Sequence, residues 1–268
     1  MKINTNVVSL STQNLLRKSS QGLEKSMERL SSGKRINSAS DDAAGLAIAT
    51  RMDSKIRGME VGVRNSNDGI SAAQTAESAL GSITNILQRM RDLTVQSANG
   101  TNTADDKDAL DTEFGQLKKE IDHIAENTTF NGVELLRADG SIGIQLSDVK
   151  NDTMSIDTIA ATSSDLGVTG TIGDGADTTD TLDQIDAALK TVSNQRAEYG
   201  ANLNRLNFNI DNISSASTNL SSAKSRIEDA DMSKEVSEMT KNKILQQSGM
   251  AMLSQANQNP QMVMQLIG

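Results

Sequence analysis

The chain has 268 residues, one proline, no cysteine and only 1% aromatic residues, at a formal net charge of −9. Without cysteine there is no disulfide staple, thiolate nucleophile or thiolate-bound metal, and with so few rings the core must be built from Leu, Ile, Val, Met and Ala, which suits narrow helical seams. Residues 101–190 carry six Lys/Arg against nineteen Asp/Glu, which argues against nucleic acid, whose affinity rests on phosphate neutralisation.

In chain order, the first helical stripe runs over residues 1–33 through Ile3, Val7, Leu10, Leu16, Leu23, Met27 and Leu30. Ser38–Asp42 then offers N-cap candidates. A long helix follows, with apolar residues at Met52, Ile56, Met59 and Val63, then at Ile70, Ala73, Leu80, Leu87 and Met90. Its spacings are threes, fours and their sums, the period of an amphipathic helix. Asn99-Gly100 closes it, and Thr103 or Asp105 caps a second run through Leu110, Phe114, Leu117, Ile121 and Ile124. Asn131-Gly132 is read as its end.

Residues 141–159 alternate as strands. Ile142, Ile144 and Leu146 precede a polar turn, and Met154, Ile156 and Ile159 follow it, the pattern of a β-hairpin. Residues 161–180 are rich in Gly, Thr, Ser and Asp and read as exposed loop. From Leu182 to Ile227 a near-continuous heptad seam returns, interrupted by the polar residues Arg196, Ser217 and Lys224. The last stripe, within residues 232–267, holds Val236, Met239, Ile244, Leu245, Met252, Leu253, Val263, Leu266 and Ile267.

The expected fold is therefore mainly α: long helical rods in coiled-coil-like bundles, with a small β-hairpin and loop at mid-chain. The expected domains are a terminal coiled-coil domain from residues 1–38 and 228–268, and a rod domain over 39–227. Neither end can bury its stripe alone, so the two are expected to pair with each other and with further copies.

Several runs carry a more specific resemblance. INTNVVSLSTQNLL, LEKSMERLSSGKRINSASDDAAGLAIATRM, RNSNDGISAAQTAESAL and LQRMRDLTVQSANGTNT in the first half resemble bacterial flagellin, and SRIEDADMSKEVSEMTKNKILQQSGMAMLSQANQNPQMVMQLIG resembles the family's other terminal signature. These blocks cover roughly residues 1–137 and 180–268. About 40 residues separate them, too few for the variable outer domains that many family members add. The resemblance implies a short flagellin: a non-catalytic subunit, without cofactor, that polymerises into an extracellular flagellar filament.

Further expectations follow from the resemblance alone. Export would proceed through the flagellar type III apparatus with an export chaperone, without a cleaved signal peptide, and assembly would occur under a filament cap beyond hook-junction proteins. The stripe residues named above would line the polymer. The surface containing Leu87, Gln88, Arg89, Leu93 and Gln96, with Glu113 on the adjacent helix, would be recognised by Toll-like receptor 5 of a host. Two alternatives stand beside this reading: a hook–filament junction protein and an intracellular coiled-coil scaffold.

No catalytic or metal constellation competes with it. His123 is the only histidine, and it has neither a cysteine nor a second histidine to form a usual zinc site. Thr103–Glu113 is acidic but lacks the glycine and spacing of a calcium loop, and acidic residues suit the first turn of a helix. No membrane insertion is expected, since no stretch approaches the ~20 apolar residues that a span needs.

Overall fold

The computed structural model describes residues 5–267, with side chains described for 5–258. Ile3 therefore lies outside the described residues, and Val263, Leu266 and Ile267 are described only as helix backbone. The elements are α1 (Val7–Ser32), α2 (Ala43–Ser97), α3 (Ala104–Asn127), β1 (Thr129–Phe130), β2 (Val133–Glu134), β3 (Gly140–Gln145), β4 (Thr153–Thr158), α4 (Thr178–Glu228) and α5 (Met232–Ile267).

The helix ends follow local chemistry. The Asn6 side chain accepts the Ser9 amide at the start of α1, and Gly33 ends that helix at φ 71°, a left-handed cap that glycine adopts without a Cβ penalty. The Asp42 carboxylate accepts the Gly45 amide at 2.9 Å and caps α2. Thr103 and Asp106 form a reciprocal capping box at α3. The Asp106 carboxyl is held below its ordinary range by the Thr103 hydroxyl and amide.

The chain divides into two compact units, Met1–Ile56 with Thr218–Gly268, and Arg57–Ser217. The second unit contains the large core. Leu80, Ile83, Leu87, Met90 and Leu93 of α2 meet Phe114 and Ile121 of α3, and Ile185, Val192, Tyr199 and Leu206 of α4. Each is buried to 1% exposure or less. Burying one such side chain contributes about 1.5–3 kcal/mol. Arg196, a polar seam position of α4, is matched by Glu77 of α2, whose Oε1 accepts from Nε at 3.0 Å and Nη2 at 2.7 Å.

The hairpin forms as the alternation requires: Ile142 pairs with Ile156 and Ile144 with Met154 in an antiparallel register. It seats on a glycine-bearing face of α2. A Cβ at Gly62 would overlap the Leu146 carbonyl, one at Gly58 would press on Asp148, and one at Gly69 would come within 3.1 Å of Ile144. The Asn65 amide also donates to the Gln145 carbonyl at 3.0 Å.

Two expectations are corrected. The segment 161–180 is not simply exposed loop: Ala161, Leu166, Val168 and Ile172 enter the core, and the buried Ser97 hydroxyl donates to the Ile172 carbonyl. Asp111 and Asp122 hold the same segment by accepting the Ile172 and Ser163 amides. Asn131-Gly132 does not end α3, which stops at Asn127. It forms the turn between β1 and β2, with φ of 49° and 81°, the doubly positive conformation that tight hairpins favour.

Candidate functional site

In the first unit, α1 and α5 lie side by side and antiparallel, as successive contacts show. Arg29 Nη1 meets Glu235 at 3.0 Å, the Ser20 hydroxyl accepts from Gln246 at 3.1 Å, and Asn6 donates to the Ala256 carbonyl at 2.8 Å. The inward positions of α1 are Ser9, Thr12, Leu16, Ser19, Leu23, Ser26 and Leu30, spaced alternately by three and four. Those of α5 are Glu235, Met239, Asn242, Gln246, Gly249, Leu253 and Ala256, in the same rhythm. The pattern is a coiled-coil seam, with small and polar residues at most positions. Gly249 leaves room for Leu16, which lies 3.4 Å from where a Cβ would stand, and Gly22 admits the Asn242 amide.

The expected apolar stripe is therefore split by the fold. Leu16, Leu23, Leu30, Met239 and Leu253 contribute to the seam, half-buried. Val7, Leu10, Met27, Val236, Ile244 and Leu245 are exposed, together with Val8, Leu15, Met250 and Met252, which the stripe did not include apart from Met252. The reason is register. Hydrophobicity alone selects the widest apolar arc, whereas the neighbouring helix is met by the arc bearing small side chains and hydrogen-bonding partners.

The segments that leave this pair are fastened to each other. The Arg35 amide donates to the Glu228 carbonyl at 2.6 Å, and the Ala230 amide donates to the Gly33 carbonyl at 3.0 Å. Glu228 is buried and pairs with Lys34, while Lys224 pairs with Asp53. The adjacent carboxylate raises the Lys34 ammonium above its ordinary value. Asp41 accepts from Lys25 at 2.6 Å and from the Asn37 and Ser38 amides, which hold it down at about 2, with Lys25 the largest cause.

A second surface lies in the other unit, at the C-terminal half of α2. Gln88, Arg89 and Gln96 are exposed, and Arg89 Nη2 pairs with the exposed Glu113 of α3 at 2.7 Å. Leu87 and Leu93 were expected on the same surface, but both are 0% exposed and belong to the core. They hold α2 in place and cannot touch a partner. Asp92 and Val95 occupy the outward positions between Gln88 and Gln96.

Among the described residues there is no group of three or more His, Cys, Asp or Glu side chains placed to hold a metal ion. No helix there is long and apolar enough to cross a membrane. Paired chain ends, with a mostly small or polar seam and exposed apolar side chains outside it, are the build of a helical structural subunit.

Comparison with known proteins gives that class its family. Residues 3–141 match the model of the bacterial flagellin N-terminal helical region, and residues 182–267 that of the C-terminal helical region. Flagellin of Listeria innocua is 46% identical, covering 100% of this chain and 99% of its own, and flagellin of Bacillus subtilis is 44% identical over 100% of both. A crystal structure of Bacillus cereus flagellin is 43% identical, covers 60% of this chain and 94% of its own, and superposes with a TM-score of 0.52. A putative flagellar hook-associated protein from Vibrio parahaemolyticus, 16% identical with a TM-score of 0.61, shares the fold. The chain belongs to the bacterial flagellin family and is a structural subunit of the flagellar filament. It is a short member, without outer domains between the two helical regions.

Proposed function

We propose that the outward apolar faces of α1 and α5 are the contacts through which copies polymerise into an extracellular filament. The observation that carries this reading is the inversion of the terminal pair. Most of its seam positions are small or polar, while eleven large apolar side chains on the two helices stand exposed among the described residues. Covering them removes apolar area from water at about 25 cal/mol per Å². A contact between copies that does not close on itself generates a helical polymer. The contacting set is Ile3, Val7, Leu10, Met27, Val236, Ile244, Leu245, Val263 and Leu266, with Leu16, Leu23, Leu30, Met239 and Leu253 supporting it from the seam.

On this reading the terminal domain (residues 1–38 and 228–268) forms the filament core and residues 39–227 form the rod outside it. Export runs through the type III apparatus with a chaperone, and growth runs from the hook-junction proteins beneath a cap. Deleting residues 233–268 leaves the rod helical and abolishes filaments; normal filaments from the truncated chain would overturn the assignment.

The monomer is also proposed as a ligand of Toll-like receptor 5, through Gln88, Arg89, Gln96 and Glu113. What supports this is their common exposure on α2 and α3, with Leu87 and Leu93 fixing the helix beneath. The hook–filament junction reading is separated by abundance: a filament subunit dominates sheared flagella, whereas a junction protein is scarce there. An intracellular scaffold would stay with the cells.

A further inference from the structure

The exposed methionines among the described residues all lie on the terminal helices: Met27, Met232, Met250 and Met252 are 47%, 48%, 53% and 61% exposed. Met239, in the seam of the same pair, is half-buried, as are Met52 and Met59, and Met90 and Met154 are buried at 0% and 4%. The chain has neither cysteine nor tryptophan. No thiol or indole therefore intercepts an oxidant before the thioethers do.

We infer that these four methionines form an oxidation site, and that sulfoxide formation there blocks self-assembly. The oxidant is a hydroperoxide. Its terminal oxygen passes to Sδ of methionine as the O–O bond breaks and the S–O bond forms; the sulfur loses two electrons, and hydrogen peroxide is reduced to water. The product is reversible by methionine sulfoxide reductases. It replaces a soft apolar side chain with a polar one that needs a hydrogen-bond donor when buried. Met252 follows Leu245 by two helical turns and shares its flank, so a sulfoxide there enters the face through which copies are proposed to meet.

The consequence depends on order. Subunits are open to oxidation before they assemble, and the same thioethers are shielded once covered by neighbours. This inference rests on the proposed assembly surface.

The test treats the purified full-length monomer with graded hydrogen peroxide. Sulfoxide is mapped by peptide mass spectrometry, and assembly onto filament seeds is followed by sedimentation. The four exposed methionines oxidise before Met90 and Met154, the critical concentration rises about tenfold or more, and reductase treatment restores it. The variant M27L/M232L/M250L/M252L assembles and is resistant to peroxide. Oxidation of the four without loss of assembly, or equal loss in the leucine variant, would overturn the inference. An untreated Leu245→Asp control separates the two readings: if it assembles normally, the assembly surface itself is wrong; if it does not, only the oxidation site is in question.

Discussion

Arg29 and Glu235 meet at 3.0 Å across the α1–α5 seam, with their side chains 24% and 11% exposed. It is the ion pair that joins the two ends of the chain at the start of α5, and it fixes one register of an otherwise small-residue seam. Glu235→Ala leaves the Arg29 guanidinium half-buried without that acceptor, at a cost of about 1–3 kcal/mol. Hydrogen exchange should accelerate in α1 and α5 and stay unchanged in α3. The double replacement of both residues by methionine should recover most of the protection, because an apolar pair carries no desolvation penalty.

Two glycines of the rod helices should respond in opposite directions. Gly62→Ala gains helix propensity of about 1 kcal/mol, but its Cβ meets the Leu146 backbone carbonyl, and the hairpin must move. The overlap should win, with a net loss of about 1–3 kcal/mol. Gly115 lies inside α3 with nothing within 4 Å of an added Cβ, so Gly115→Ala should stabilise by about 0.5–1 kcal/mol. Thermal unfolding of the two variants checks both signs.

The rods were legible because α2, α3 and α4 bury one apolar stripe each, so period 3.6 is written in side chains such as Leu80, Leu87 and Ile121. The hairpin was legible from its alternation. The segment carrying Ala161, Leu166, Val168 and Ile172 was not, since an irregular chain buries residues at no fixed spacing and its Gly, Ser and Asp content suggests solvent. The strands β1 and β2 are two residues each, too short to show a period. At the termini the visible stripe showed only part of the α1–α5 seam, because Ser9, Thr12, Ser19 and Ser26 mark the rest by small size and hydrogen bonding rather than hydrophobicity.

Asp41 supplies a pH dependence with a defined sign. Its folded value, about 2, lies below the ordinary 3.8. The Lys25–Asp41 tie therefore stabilises fully above about pH 4 and is lost as pH falls through 2. Protection against hydrogen exchange in residues 33–42, taken relative to the intrinsic exchange rate at each pH between pH 5 and pH 2 (a window of roughly the acid-loss range), should fall with acid in the parent chain. Asp41→Asn should be weakly protected throughout, with a nearly flat profile across the same window.

The receptor reading separates surface from core. Arg89→Ala removes only an exposed ion pair, worth about 0–1 kcal/mol of stability, yet should lower receptor activation substantially if Arg89 is an interface hot spot, at about 2 kcal/mol or more. Leu87→Ala should instead cost about 2–5 kcal/mol of folding stability. A cell-based activation assay paired with thermal melts distinguishes them. Unchanged activation by Arg89→Ala would remove this face from the account.

The proposed assembly face is the apolar exterior of the terminal pair, not its seam. Seeded filament growth of the double variant Ile244→Asp/Leu245→Asp, measured by sedimentation beside circular dichroism, tests it most directly. No growth is expected at concentrations where the parent chain elongates, with the helical signal of the monomer unchanged. Elongation at the parent rate would contradict it.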